Sequence, residues 1–234
     1  MIHQQSTRRE LEKKRHGHER GRRSGGLKRI ERNVGTCDAA FVLSRGAYLL
    51  RENTGTTGVE LTARTAVEVL AYWDIPHLIA GGLAVQEHGY ERVTTDVDII
   101  VPDVLDAVEM LTADIVGPFK RLAADRLEDQ RNGVKIDLLP AGYVLKTGCK
   151  VPFPQPREVS AFPQVVTIEQ LISLKLDSFA GSPLKRNRDK TDVIELIQRA
   201  QLPRDLAVAL PVRALYLEIW DGLKADDSPP VHPT

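Results

Sequence analysis

Residues 77–102 combine a Gly-Gly pair with two aspartates in an apolar run. Gly81-Gly82 follows a short apolar stretch and precedes a predicted helix. Asp96 and Asp98 lie in a segment whose alternation and apolar end predict a buried strand. Side chains at positions i and i+2 leave the same face of a strand. The sequence therefore predicts a sheet with two carboxylates side by side, close to a glycine-lined turn.

The paired aspartates suit a cation. Adjacent carboxylates repel each other, and the pKa of one of them rises unless a cation lies between them. Mg²⁺ takes one or two carboxylates and fills its other positions with water and phosphate oxygens. Asp137 lies in the apolar run VKIDLL, where a charge needs a partner, and a neighbouring strand could bring it to the same site. Two alternatives stay open: Asp96 and Asp98 are simply solvated, or Asp137 pairs with Lys135 or Arg131.

The glycine pair suits a phosphate. Two glycines between a strand and a helix let backbone N–H groups approach a phosphate, because no Cβ stands in the way. Most Gly-Gly pairs are plain turns, so the aspartates that follow this pair are needed to support phosphate binding.

The order of predicted elements favours an α+β fold, with a mixed α/β sheet in a core at 58–145 and a C-terminal helical lobe at 164–224. Asp103 is a predicted N-cap, and Thr167 opens a predicted capping box. One or two further helices are expected between Pro203 and about Leu223. The other predicted helices span 60–72, 83–89, 104–114, 168–181 and 189–201, and the predicted strands span 77–80, 95–102, 119–125 and 133–140.

Composition excludes several classes of protein. The chain of 234 residues is long enough to bury a core. Its two cysteines lack zinc-finger spacing, and no apolar run reaches the length of a membrane span, so we expect a cytoplasmic protein. Walker, GxGxxG and GxSxG motifs are absent from the sequence. His77 and His88 are interpreted as structural residues.

Charge is distributed unevenly along the chain. Residues 1–32 hold eleven basic and four acidic residues, a net charge of +7, so the rest of the neutral chain carries −7. We expect residues 1–50 to form a basic, disordered tail and 225–234 a second disordered tail. The basic tail could contact nucleic acid through phosphates. It could equally be idle, or lie upstream of the true translation start.

Several motifs together resemble the nucleotidyltransferase superfamily related to DNA polymerase β. The Gly-Gly pair is followed by R-x-T-x-D-x-D, and KIDLL resembles the segment of that superfamily's third carboxylate. The resemblance extends to the AbiEii-type bacterial nucleotidyltransferases, which include toxins of toxin–antitoxin systems. It covers about residues 60–200. The second half of that family's pattern matches Lys175, Arg188, Lys190 and Asp192.

The resemblance implies Mg²⁺ as cofactor and a nucleoside triphosphate as substrate. Asp96 and Asp98 would coordinate the metal ions, and Asp137 would complete the metal site or accept the proton of the acceptor hydroxyl. Lys175 is alternatively a surface lysine, and Asp192 alternatively caps or pairs within its helix. The residues expected to bind the nucleotide are Gly81, Gly82, Arg92, Thr94, Lys175 and Lys190.

Three functions stay open at this point. The first is an active nucleotidyltransferase that modifies RNA such as tRNA, a protein hydroxyl or a small molecule, with a cognate antitoxin if it is a toxin. The second is a catalytically silent binding or regulatory protein on the same fold. The third is a protein that binds nucleic acid mainly through its basic tail. AbiEii-type proteins often have a larger helical lobe, and the shorter lobe expected here offers less surface to a large acceptor such as tRNA.

Overall fold

A five-stranded mixed sheet organises the structure, a computed structural model that describes residues 57–113 and 117–226. The strands are β1 Leu78–Ile79, β2 Asp96–Val101, β3 Phe119–Arg121, β4 Arg126–Asp129 and β5 Lys135–Pro140. Their order across the sheet is β1-β2-β5-β4-β3. The central pair, β2 and β5, is parallel, and the remaining neighbours are antiparallel. The predicted α+β class with a mixed sheet is confirmed.

Six α-helices and a short 3-10 helix at Leu210–Val212 surround the sheet in the described ranges. Both predicted helix starts are confirmed: Asp103 accepts hydrogen bonds from two backbone N–H groups, and Thr167 forms a reciprocal capping box with Gln170. These caps satisfy backbone donors that the first helical turn leaves unpaired. The helices are α1 Gly58–Tyr72, α2 Gly81–Glu87, α3 Val104–Leu111, α4 Ile168–Ala180, α5 Asn187–Arg199 and α6 Arg213–Asp226.

One face of the sheet is apolar and packs against α1 and α3. Alternate residues of the three central strands are fully or almost fully buried there: Val97, Ile99, Leu127, Ile136 and Leu138. A buried carboxylate joins this layer to α1, since Asp129 accepts a hydrogen bond of 2.7 Å from Thr62 and binds Arg131. Burial alone would raise the pKa of Asp129, but the hydrogen bonds from Arg131 and Thr62 outweigh it and lower the pKa.

The opposite face is divided between apolar and charged residues. Ile100 at the far end of β2 packs in a second hydrophobic core, to which α4, α5 and α6 contribute. Leu176 and Tyr216 are fully buried in this core. Asp96 and Asp98 occupy the near end of the same face and are partly exposed. The helical lobe thus covers one end of this face and leaves the carboxylates at its edge.

Several expectations change. The predicted strand at 119–125 ends at Arg121, and the chain turns back into β4, which the sequence analysis missed. The predicted boundaries of the core and the lobe stay a prediction. The expected tails at 1–50 and, apart from its first two residues, 225–234 lie outside the described residues. Within the described ranges no helix has both the length and the hydrophobicity to cross a bilayer.

Candidate active site

A row of charged side chains crosses the exposed face of the sheet. Asp98 on β2 is the register partner of Asp137 on β5, and Asp137 is in turn the partner of Arg126 on β4. Neighbouring strands lie about 4.8 Å apart, and register partners point to the same face. Asp96 lies two residues before Asp98, hence also on this face. The two carboxylates that were predicted to be neighbours, and the third from a separate strand, therefore share one face.

The carboxyl group of Asp98 has a raised pKa. Burial raises the pKa of its carboxyl to about 6 from an ordinary value of 3.8. The negative charges of Asp96 and Asp137 raise it further, and the positive charges of Lys175 and Arg186 act against that rise. No described residue donates a side-chain hydrogen bond to Asp98 or forms an ion pair with it. A desolvated carboxylate between two others is a place where a cation binds favourably.

Asp137 has a different partner from either one considered in the sequence analysis. Arg126 binds both of its carboxylate oxygens, with Nη2 donating to Oδ2 at 2.9 Å and Nε donating to Oδ1. Neither alternative is observed: Arg131 binds Asp129 instead, and Lys135, which is also a described residue, forms no ion pair with Asp137. The hydrogen bonds to Asp137 also raise the pKa of Arg126. The antiparallel pairing of β4 with β5 places this guanidinium, which the sequence analysis overlooked.

The two glycines make room for side chains of the protein itself. A Cβ on Gly81 would lie 1.7 Å from Asp98 Oδ2, and Gly81 has a φ of +59°, in the left-handed region. A Cβ on Gly82 would lie 2.2 Å from Thr94 Oγ1. The backbone N–H of Ala80 donates to the carbonyl of Asp98 at 2.9 Å, which fixes this close approach. The predicted contact of the glycines with a triphosphate stays a prediction, and the packing gives a second reason for them.

The segment between α2 and β2 holds the site together. Thr94 Oγ1 donates to Asp96 Oδ1 at 3.2 Å, which orients that carboxylate. Gln86 of α2 donates to the backbone carbonyl of Arg92. The Arg92 side chain reaches the lobe, where Nη2 donates to Asp192 Oδ2 at 3.0 Å. Its Nε lies 2.8 Å from Asp192 Oδ1, close enough for an ion pair but not aligned for a hydrogen bond.

Lys175 lies in the interior of the protein. Its side chain is 12% exposed, and its Nζ lies 2.8 Å from both Asp189 Oδ1 and Asp192 Oδ2. The surface-lysine alternative is therefore wrong, as is pairing of Asp192 within its own helix. Two carboxylates already neutralise the ammonium group, so Lys175 joins α4 to α5 within the lobe. Arg92 joins the core to the lobe through its contact with Asp192. Any contact of these two cations with a nucleotide stays a prediction.

The remaining cations lie at the start of α5 or next to it. Lys190 Nζ lies 5.6 Å from the centroid of the Phe179 ring, and its predicted contact with the nucleotide stays a prediction. Arg188 is exposed, and its Nη2 donates to the carbonyl of Val93 at 2.6 Å. Arg186 is exposed and acts electrostatically on Asp98. Arg186 was not among the predicted site residues, although its position in the basic loop LKRNR was a usable signal.

The histidines take no part in the carboxylate row. His77 is buried, and burial lowers the pKa of its imidazole, while Nδ1 hydrogen-bonds the carbonyl of Ile75 at 2.9 Å. His88 Nε2 hydrogen-bonds the carbonyl of Val166 at 2.8 Å. Both contacts hold backbone segments in place, which agrees with the structural interpretation of the two residues.

The carboxylates fit Mg²⁺ in chemistry and in part in arrangement. Asp96 and Asp98 offer oxygen ligands on one face, and the hydrogen bond that Thr94 donates to Asp96 orients one of them. Asp137 is held by Arg126, and in the described part of the chain no three His, Cys, Asp or Glu side chains are arranged to hold a metal ion. Asp96 and Asp98 thus form no ion pair with a described residue, whereas Arg126 engages Asp137. Metal binding by the three carboxylates stays a prediction.

Replacing Asp98 by asparagine should stabilise the metal-free protein. A carboxyl pKa of about 6 in the folded state against 3.8 corresponds to a penalty of at most about 3 kcal/mol at neutral pH. Below pH 3.8 Asp98 is protonated in both the folded and the unfolded protein, so the substitution gives no gain in stability there. The gain in stability grows as the pH rises from 3.8 to about 6 and is constant above that. Denaturant unfolding in EDTA at several pH values measures this gain.

Asp106→Asn is the control for that experiment, because Asp106 is exposed on α3. It should change the free energy of unfolding by no more than about 0.5 kcal/mol. A loss of stability in Asp98→Asn at pH 7 would show that the carboxylate already has a favourable partner.

Similarity to known proteins is found among solved structures. No family model matches the sequence, and no curated protein matches it. Among solved structures, the chain is similar to the solution structure of the antibiotic-resistance factor ANT(2'')-Ia. The TM-score is 0.37, with 15% sequence identity over 71% of this chain and 94% of that chain. A TM-score this low does not establish a common fold.

Proposed function

We propose that this protein is a Mg²⁺-dependent nucleotidyltransferase, which moves a nucleoside monophosphate from a nucleoside triphosphate to a hydroxyl group. The observation that carries the proposal is the position of Asp98. Its desolvated carboxylate lies between Asp96 and Asp137 on one face of the sheet, against Gly81, and forms no ion pair with a described residue. The sequence resemblance described above supports the same chemistry.

The reaction needs a proton acceptor and a place for the phosphates. The acceptor oxygen forms a bond to the α-phosphorus, and the bond from that phosphorus to pyrophosphate breaks. The hydroxyl proton passes to a carboxylate, for which Asp137 is the candidate if it is not a metal ligand. Asp96 and Asp98 would hold the ions. When bound, Mg²⁺ neutralises charge on the phosphates and on the attacking and leaving oxygens.

Exposed cations close to the carboxylates support a triphosphate as substrate. Arg186 and Arg188 lie at the start of α5, next to the Lys175 network. Arg92 and Lys175 are engaged by buried carboxylates, so Arg186 is the better candidate for a direct phosphate contact. Guanidinium groups bind phosphate oxygens in a planar, two-pronged arrangement.

Labelled nucleotides test the reaction class. The purified chain is incubated with Mg²⁺, cell extract and each of the four nucleoside triphosphates, labelled either at the α-phosphate or at the γ-phosphate. The proposal predicts that the α-label enters an acceptor, that the γ-label leaves as pyrophosphate, and that Asp106→Asn behaves as the wild type. Transfer of the γ-label to an acceptor, or no transfer from any nucleotide, would contradict it.

The identity of the acceptor is a finer proposal that the AbiEii resemblance supports. We propose an RNA as acceptor, and a role as a toxin with a cognate antitoxin. The basic stretch at 1–32, with its net charge of +7, supports contact with RNA phosphates. Fractionating the labelled acceptor with ribonuclease and protease separates RNA from protein, and label that resists both enzymes points to a small molecule.

A second candidate is a catalytically silent binding protein on the same fold. The ion pair between Arg126 and Asp137 favours it, because a permanently engaged third carboxylate would not complete a metal site. The two candidates differ in one property: the enzyme binds a nucleotide together with Mg²⁺, whereas the silent protein shows no nucleotide affinity that depends on Mg²⁺.

A further inference from the structure

Arg126 binds a carboxylate of the candidate metal site and lies beside the expected position of the nucleotide. Its guanidinium spans the two oxygens of Asp137, next to Asp98 in the same row of the sheet. The Arg126 side chain is 49% exposed and that of Asp137 is 24% exposed. The pair is thus open to solvent and can exchange partners without unpacking a core.

The two possible partners of Asp137 exclude each other. A carboxylate with both oxygens engaged by a guanidinium has few favourable positions left for a divalent cation, and a bound cation repels the guanidinium. When Asp137 turns to a metal ion, Arg126 loses its partner on an exposed face beside the site. The triphosphate of an incoming nucleotide then offers oxygens of the same charge and geometry as the carboxylate it has lost.

We propose that Arg126 exchanges Asp137 for the phosphates of the nucleotide, and that it thereby couples metal binding to nucleotide binding. This inference rests on the proposed function. In the absence of nucleotide, Arg126 competes with the metal ion for Asp137 and weakens metal binding. In its presence, Arg126 moves to the phosphates, and the carboxylate becomes available to the metal. Arg126 is a positioning residue for Asp137 and a binding residue for the nucleotide.

The chain offers a matched control. Arg204 binds Asp221 in the same two-pronged way, with Nε to Oδ1 at 2.7 Å and Nη2 to Oδ2 at 2.9 Å, and both side chains are about half exposed. This pair lies outside the carboxylate row. Arg204→Ala therefore removes an equivalent surface ion pair without a change at Asp137.

Two titrations on the full-length chain test the exchange. Mn²⁺ serves as a spectroscopic substitute for Mg²⁺, and free Mn²⁺ is followed by electron paramagnetic resonance. Arg126→Ala should bind Mn²⁺ alone about five-fold more tightly than the wild type, because the competitor for Asp137 is gone. At saturating Mn²⁺ it should bind ATP, or whichever triphosphate the wild type prefers, about ten-fold more weakly.

Arg126→Lys and Arg204→Ala complete the experiment. The lysine variant keeps the charge without the planar fork and should fall between the wild type and Arg126→Ala in both titrations, whereas Arg204→Ala should match the wild type. If Arg126→Ala keeps wild-type affinity for either Mn²⁺ or nucleotide, the exchange is wrong and the proposed function is unaffected. If the wild type itself binds neither, the proposed function fails, and this inference fails with it.

Discussion

Replacing Asp96 or Asp98 by asparagine is expected to lower nucleotidyl transfer by about 1000-fold or more. Each substitution removes one of the charges that would hold the metal ions, and such ions contribute several kcal/mol of transition-state stabilisation. A loss of about 4 kcal/mol corresponds to this factor. The rate of pyrophosphate release with the preferred nucleotide measures the effect, with Asp106→Asn as the control.

The two variants should differ in stability while they agree in activity. Asp98→Asn loses a desolvated charge that its neighbours repel and should unfold at higher denaturant concentration than the wild type. Asp96 accepts a hydrogen bond from Thr94 and should show no comparable gain. Loss of activity in a more stable protein cannot be attributed to unfolding. If either variant retains more than a tenth of wild-type activity, its carboxylate does not have the proposed role.

Among the glycines that the structure describes, Gly81 is expected to tolerate replacement by alanine least. The new Cβ would lie 1.7 Å from Asp98 Oδ2 and 2.7 Å from Asp98 Cγ, at a residue with a φ of +59°. Either the carboxylate turns away or α2 shifts, and the strain and the left-handed backbone together cost about 3 kcal/mol. Transfer should fall as far as in Asp98→Asn, since Asp98 no longer occupies its place.

Gly89→Ala separates backbone strain from the clash. Gly89 has a φ of +101°, and a Cβ there would meet nothing within 4 Å. This control should lose stability but keep its transfer activity. Adding Asp98→Ala to Gly81→Ala should restore part of the lost stability, because the methyl group then has space. Wild-type activity in Gly81→Ala would mean that Asp98 is not packed against the glycine.

The sequence predicted the carboxylate face because strand periodicity is local. Alternation along β2 places Asp96 and Asp98 on one side, and the apolar flanks of Asp137 predict a second central strand. The sequence allowed a neighbouring strand to bring Asp137 to the same site, and the structure shows this strand to be β5, which pairs in parallel with β2 and places Asp137 opposite Asp98. The face to which each side chain points depends on rules that act within a few residues, whereas the pairing of the two strands depends on tertiary packing.

The partners of the charged residues could not be predicted in the same way. Residues 126–129, RLED, contain one apolar residue, so β4 shows no alternation that would predict a strand. Without β4, the pairing of Arg126 with Asp137 is invisible. Arg92 and Asp192 are likewise a hundred positions apart in the sequence. Such contacts are set by tertiary packing, which local propensity does not encode.

The most direct measurement is calorimetric titration of the wild-type chain with the four nucleoside triphosphates, in Mg²⁺ and in EDTA. We expect at least one nucleotide to bind in Mg²⁺, with affinity reduced at least ten-fold in EDTA and reduced similarly in Asp96→Asn in the presence of Mg²⁺. Binding of equal strength in EDTA, or no binding of any nucleotide, would contradict the proposal that these carboxylates hold a metal-bound nucleotide.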